Sequence, residues 1–240
     1  MQPPLLPSLE LFVRDMASLI LPIDATKNIF VECEQGDGHP VLVLPAFLTG
    51  DWFTEPLRKF LKKLGYFTYG WNMGLNIGPT PRILKGVEHR LEQINKHHNC
   101  KVTLIGHSLG GTMARELAKK RPDIIRDIIL LASPIRFPMT SYMLPIYRLF
   151  SACHKQEYKM ENYHSLSLNS STPPLVPVTA IFSRQDGIVS WRSCLEVPGL
   201  NRENIETDVA HTTMIRNPKV WSIITNSLAK NKLADKFCKL

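Results

Sequence analysis

A serine hydroxyl attacks carbonyl carbon only where a neighbouring base can take its proton. One stretch of this chain holds a serine in the surroundings that such chemistry needs: Gly106-His107-Ser108-Leu109-Gly110-Gly111. It follows the apolar run Val102-Thr103-Leu104-Ile105 and precedes a helical pattern from Leu109 to Lys120, so the G-x-S-x-G motif falls on a strand-to-helix turn. A turn that sharp strains its central residue and lifts the hydroxyl clear of the sheet, and small residues on either side let backbone approach closely. The helix N-terminus favours negative charge. The backbone N–H of Leu109, next to the serine, is one donor for a developing oxyanion. Ser108 is the candidate nucleophile.

The base would be a histidine oriented by a carboxylate. Eight histidines are available. His107 lies inside the turn, His89, His97 and His98 lie on or just past a polar helical stretch, and His39 precedes a strand. His154 and His164 fall in a long connection, and His211 follows the last strand pattern.

Behind these residues stands an alternation of elements. Apolar runs at Val41–Leu44, Phe67–Trp71, Val102–Ile105, Ile128–Leu131, Val178–Phe182 and Ile205–Val209 read as six strands. Helical spacing fits residues 54–64, 82–98, 109–120 and 217–230, and Gly65 suits the end of the first of these. Continuous apolar strands alternating with helices predict an α/β fold, a mostly parallel sheet with helices on both faces. Residues 6–20 form a further amphipathic helix, with Leu9, Phe12, Val13, Met16 and Ile20 on one stripe and Glu10, Arg14 and Asp15 off it. It reads as a helix packed on the core, with a membrane-surface helix as the alternative. Between Pro134 and Pro177 the connection is longer than a crossover needs. Its first part, about 138–152, is rich in Met, Tyr, Leu, Ile and Phe. We expect an insertion over residues 134–177 whose first part, about 138–152, acts as a lid or pocket wall, with Met143 and Phe150 as substrate-binding candidates and a helix packed on the sheet edge as the alternative.

Four stretches resemble the α/β-hydrolase superfamily, in particular its small bacterial lipase- and esterase-like members. They are Leu44-Pro45-Ala46-Phe47-Leu48, Gly106 to Gly111, Ser183 to Val189, and Ala210-His211. The resemblance runs from about Val41 to the last helix and implies one α/β-hydrolase domain over residues 1–240. The family orders its triad serine, acid, histidine, which implies His211 as base and Asp186, in a glycine-containing loop after the fifth strand, as acid. No Asp or Glu lies between Asp127 and Glu157, which closes the alternative of an acid from the preceding strand. Glu206 and Asp208 compete but lie within the histidine's own strand. By resemblance to the family's His-Gly-X or Pro-Gly-X stretch, the second oxyanion donor is the N–H of Phe47. Ala46 stands where the family has glycine.

The implied activity is hydrolysis of an acyl ester through an acyl-enzyme, with no metal or organic cofactor. Alternatives are a thioesterase or acyltransferase with the same triad, or a non-catalytic binding protein on this fold. The partner is a small-molecule or lipid acyl ester, with oligomeric state left open.

Composition bounds the rest. The 240 residues carry 44% hydrophobic and 21% charged side chains, which excludes a largely disordered chain, a coiled coil or a fibre. The net charge of +8 favours anionic surfaces, but the basic residues are dispersed and not interleaved with stacking aromatics, so no nucleic-acid partner is expected. Five widely spaced cysteines without a CxxC argue against a disulfide framework or zinc site and for a reducing, cytoplasmic setting. A peripheral contact with a membrane surface stays open. The start has no basic segment before its apolar stretch, and no run is long enough to span a bilayer. The glycines at 70, 74 and 78 match neither a dinucleotide fingerprint nor a P-loop, and read as a loop on the rim of the site. Cys194 reads as a small buried residue.

Overall fold

The computed structural model describes residues 5–20, 35–136, 141–153 and 172–232. Six strands, β1 (Pro40–Leu44), β2 (Phe67–Gly70), β3 (Val102–His107), β4 (Ile125–Leu131), β5 (Val178–Ser183) and β6 (Arg202–Thr207), form one sheet in the order β2-β1-β3-β4-β5-β6. Every pairing is parallel. The helices are α1 (Leu9–Ile20), α2 (Asp51–Lys63), α3 (Pro81–His98), α4 (Leu109–Lys120), α5 (Leu144–Cys153) and α6 (Pro218–Lys232).

The period of two along each strand sorts the core into two layers. Leu42, Leu44, Leu104, Ile128, Leu130, Val178 and Ala180 face Ile83, Val87, Leu91 and Ile94 of α3 and Met113, Ala114, Leu117 and Ala118 of α4. Val41, Val43, Ile105, Ile129, Leu131 and Ile181 face the other way, onto Phe53, Leu57 and Leu61 of α2 and Val220, Ile224 and Leu228 of α6. Strands buried on both faces are the reason these runs are continuously apolar. α3 begins where Thr80 accepts a hydrogen bond from the Ile83 N–H (3.2 Å) with Pro81 in its first turn, and ends at Asn99 in the left-handed region.

All six strands lie within three residues of their sequence expectation at either end, and β4 starts three residues early at Ile125. β6 starts three residues earlier than expected and stops at Thr207. It is one of the two edge strands and half-buried, so its polar residues Arg202, Glu203 and Asn204 do not read as core. In the long connection the helix begins at Leu144, while residues 137–140 and 154–171, with His154 and His164, lie outside the described residues. Because all six strands run the same way, their C-terminal ends open on one edge, and the loops leaving them must meet there.

Candidate active site

Ser108 leaves β3 with φ 52° and ψ −121°, a left-handed backbone that a non-glycine residue adopts only when its surroundings impose it. The imposition is visible. The Ser108 N–H donates to the Leu131 carbonyl of β4 (2.8 Å), and its own carbonyl accepts from Gly111 and Thr112 at the start of α4. A Cβ on Gly106 would run into the backbone of Gly111, so glycine at both positions is what lets the helix turn back over its strand. Ser108 is 9% exposed, and the Leu109 N–H stands at the first residue of α4.

Asp186 and His211 come from the loops after β5 and β6. Asp186 Oδ1 accepts from the backbone N–H of Ile188 and of Val189, both at 2.8 Å, which leaves Oδ2 facing His211 Nδ1 at 2.7 Å. Both side chains are buried. Burial disfavours the charged imidazole, but the Asp186 carboxylate, its hydrogen bond and the more distant Asp15 outweigh that and raise the His211 pKa. The competing acids lie elsewhere. Asp208 is exposed and pairs with Lys219 (3.1 Å), and Glu206 pairs with Arg184 (3.0 Å).

His107 points away from the serine side of the turn. Its Nε2 donates to the His211 carbonyl (3.0 Å), its ring stacks on Phe53, and its centroid lies 5.1 Å from that of His211. Its Nδ1 has no hydrogen-bond partner among the described residues. Burial, with His211 and Arg216 nearby, holds its pKa well below the ordinary value, so it stays neutral and braces the His211 backbone.

The Pro45-Ala46-Phe47 segment is held from two sides. The Leu48 N–H donates to the Asn76 carbonyl, the Asn76 N–H donates to the Thr49 carbonyl, and buried Asn76 also sends Nδ2 to the Pro45 carbonyl (2.7 Å). The glycine-rich loop after β2 is therefore the outer support of the candidate oxyanion loop. A cleft of about 230 Å³, bounded by Asn72, Met73, Thr80 and Arg82, opens on that loop. Leu109 and Tyr147 are buried together, with Phe47 and Leu144 against them, and the Phe47 and Tyr147 rings meet edge to face at 5.5 Å. Helix α5 thus covers both residues whose N–H groups are the candidate oxyanion donors. Met143 packs on a neighbouring cluster of Phe182, Ile188, Val189 and Cys194, and the Phe150 side chain lies outside the described residues. Cys194 is buried, and burial pushes its thiol pKa well up, away from the thiolate that a nucleophile needs.

Three residues that bear on this site escaped the sequence reading: Asp15, Asn76 and Tyr147. Asp15 is fully buried although it lies off the apolar stripe of α1, and it accepts hydrogen bonds from both the loop of Asp186 and the loop of His211. Its signal was a lone acid between Phe12 and Met16, which is also what an ordinary solvated helix position looks like. Leu9 and Val13, read as part of the packed stripe, are exposed, while Phe12 and Met16 pack.

The family described as "PGAP1-like alpha/beta domain" matches residues 81–223. No curated protein matches the chain. Solved structures share the architecture. A monoacylglycerol lipase of Paleococcus ferrophilus is 14% identical with a TM-score of 0.62, over 83% of this chain and 97% of that one. An esterase of Pyrococcus furiosus is 15% identical with a TM-score of 0.57, over 80% and 83%. An alpha/beta superfamily hydrolase from Oenococcus oeni is 16% identical with a TM-score of 0.58, over 82% and 94%. At such identities these likenesses speak for the fold.

Proposed function

Because the chain belongs to the PGAP1-like alpha/beta domain family, within the α/β-hydrolase superfamily, we propose that it is a serine hydrolase that cleaves carboxylic esters through Ser108, His211 and Asp186. The observation that carries this reading is the Asp186 carboxylate. It is clamped by two backbone N–H groups on one oxygen and faces the His211 ring with the other, at the edge of the sheet where strained Ser108 also emerges.

The chemistry follows from that arrangement. Asp186 holds the Nδ1–H tautomer of His211, which leaves Nε2 as the proton acceptor. Ser108 Oγ attacks the ester carbonyl as its proton passes to Nε2, and the oxyanion is met by the Leu109 and Phe47 N–H groups. Collapse breaks the bond to the alkoxy group, which leaves as an alcohol with the proton from Nε2. Water, deprotonated by the same imidazole, then releases the acid from the acyl-enzyme. Helix α5 forms the apolar wall of the acyl site through Leu144 and Tyr147, which cluster with Phe47 and Leu109. Residues 134–177 are in this reading an insertion within one hydrolase domain.

The test is turnover of p-nitrophenyl esters of increasing chain length, with acyl-CoA in parallel, alongside labelling by an organophosphate. We expect ester turnover, label on Ser108, and a loss of roughly 10³–10⁶ in kcat for a folded Ser108→Ala. Label on Ser133 or Ser183 refutes the nucleophile. Turnover of acyl-CoA alone replaces the ester reading with a thioesterase.

A further inference from the structure

We propose that Asp15 is a positioning residue of the hydrolase: a carboxylate on the N-terminal helix that ties the loop bearing Asp186 to the loop bearing His211 and so sets the distance between them. The proposal rests on the assignment of Asp186 and His211 as acid and base.

Asp15 is fully buried in α1. Its Oδ2 accepts from the backbone N–H of Gly187 (2.8 Å) and of His211 (3.0 Å). Its Oδ1 accepts from the N–H of Thr212 and from Thr212 Oγ1, both at 2.8 Å. One oxygen therefore bridges the residue directly after the acid and the base itself. Hydrogen bonds from N–H groups to a carboxylate are about twice as strong as neutral ones.

The surroundings are built for this approach. A Cβ on Gly187 would collide with the Leu11 carbonyl, so only glycine lets α1 come this near the acid loop. Arg14 Nη2 donates to the Gln185 carbonyl (3.1 Å) and to Gln185 Oε1 (2.9 Å) on the same loop. Ser18 Oγ donates to the Asp15 carbonyl (2.7 Å) and meets Thr212 Oγ1 (2.5 Å). A helix that needed only to be anchored would bury its own apolar stripe, yet Leu9 and Val13 are exposed while the carboxylate is buried. A buried carboxylate is costly unless its acceptors are filled, and here three backbone donors and a hydroxyl from two catalytic loops fill them.

Asp15→Asn tests this at nearly constant volume, because an amide has one acceptor oxygen where the carboxylate has two. We expect the variant to fold, with kcat down about ten- to a hundredfold, the scale of an ångström-sized misplacement of reacting groups, and KM for p-nitrophenyl butyrate changed less than about twofold. Loss of the negative charge destabilises the imidazolium, so the acid limb of the kcat/KM profile moves to lower pH. The downfield proton resonance of His211 Nδ1–H, read without substrate, broadens or disappears. Should Asp15→Asn not fold, Thr212→Val removes one donor and keeps the carboxylate, and a fewfold loss in kcat at constant KM is expected. A folded Asp15→Asn of lower Tm but with wild-type kcat, acid limb and resonance overturns the proposal, and so does an unfolded Asp15→Asn with an unaffected Thr212→Val. Failure of the underlying assignment looks different: the resonance in the otherwise unaltered protein would not respond to Asp186→Asn.

Discussion

Asp186→Asn removes one charge and almost no volume, and the structure states which way the new amide must face. Oδ1 of Asp186 is held by the N–H groups of Ile188 and Val189. Turning the amide nitrogen toward that pair would leave two buried donors without an acceptor, at about 1–3 kcal/mol each. The asparagine therefore keeps its oxygen there and presents NH2 to His211 Nδ1, 2.7 Å from the oxygen it replaces. Facing a donor, Nδ1 gives up its proton and the ring adopts the Nε2–H tautomer. That nitrogen cannot accept a proton from Ser108. The expected loss is about 10⁴ in kcat, the scale for a wrong-tautomer triad, or about 5.5 kcal/mol of barrier. KM should change little. The assay is steady-state turnover of p-nitrophenyl butyrate near neutral pH, with thermal melting to show that the fold survives. Asp208→Asn is the control. That carboxylate is exposed and pairs with a surface lysine, so its variant should stay within about twofold. A kcat for Asp186→Asn within tenfold of the parent, or a large loss in Asp208→Asn, would refute the tautomer argument.

Two further outcomes follow from the same geometry. A general base works only when neutral, and the His211 pKa is raised above the ordinary 6.5, so kcat/KM for a neutral ester should fall as pH drops through a point above 6.5. A limb at or below 6.5, traced in a pH series, would contradict the Asp186 contact. Tyr147→Ala together with Leu144→Ala strips the α5 face that covers Phe47 and Leu109. KM should rise more for octanoate than for acetate esters, and equal effects would make α5 a packing element only.

The elements and the site were legible to different depths. Central strands such as β1 and β3 are buried on both faces, so their residues are continuously apolar and stand out in one dimension. β6 was legible only from Ile205 onward, because an edge strand can carry Arg202, Glu203 and Asn204. Asn204 is used to grip the Glu196 backbone from both its amide atoms. At the site, Ser108 was readable because its strain needs glycines at fixed offsets, which leave a motif. Asp186 and His211 followed from family order. Asp15, Asn76 and Tyr147 left no such trace. Each acts through contacts with backbone or rings distant in sequence, and no local spacing encodes a partner more than 150 residues away or a loop-to-loop hydrogen bond.

The docking of α1 also has a meaning in time. This helix precedes the sheet in the chain, but its carboxylate finds its acceptor roles with residues 172, 196 and 197 positions later. A twelve-residue helix is marginal by itself in water, so during synthesis Asp15 waits as a solvated side chain on a largely unformed segment. The serine turn can close as soon as β3, β4 and α4 exist, well before the last loop is translated. Closing so long a loop adds little free energy beyond closing a shorter one, because the entropy grows only with the logarithm of length. Its effect is on order. The nascent chain would carry the turn around Ser108 before the loops of Asp186 and His211 are tied together, and that tie would form only when α1 docks on them.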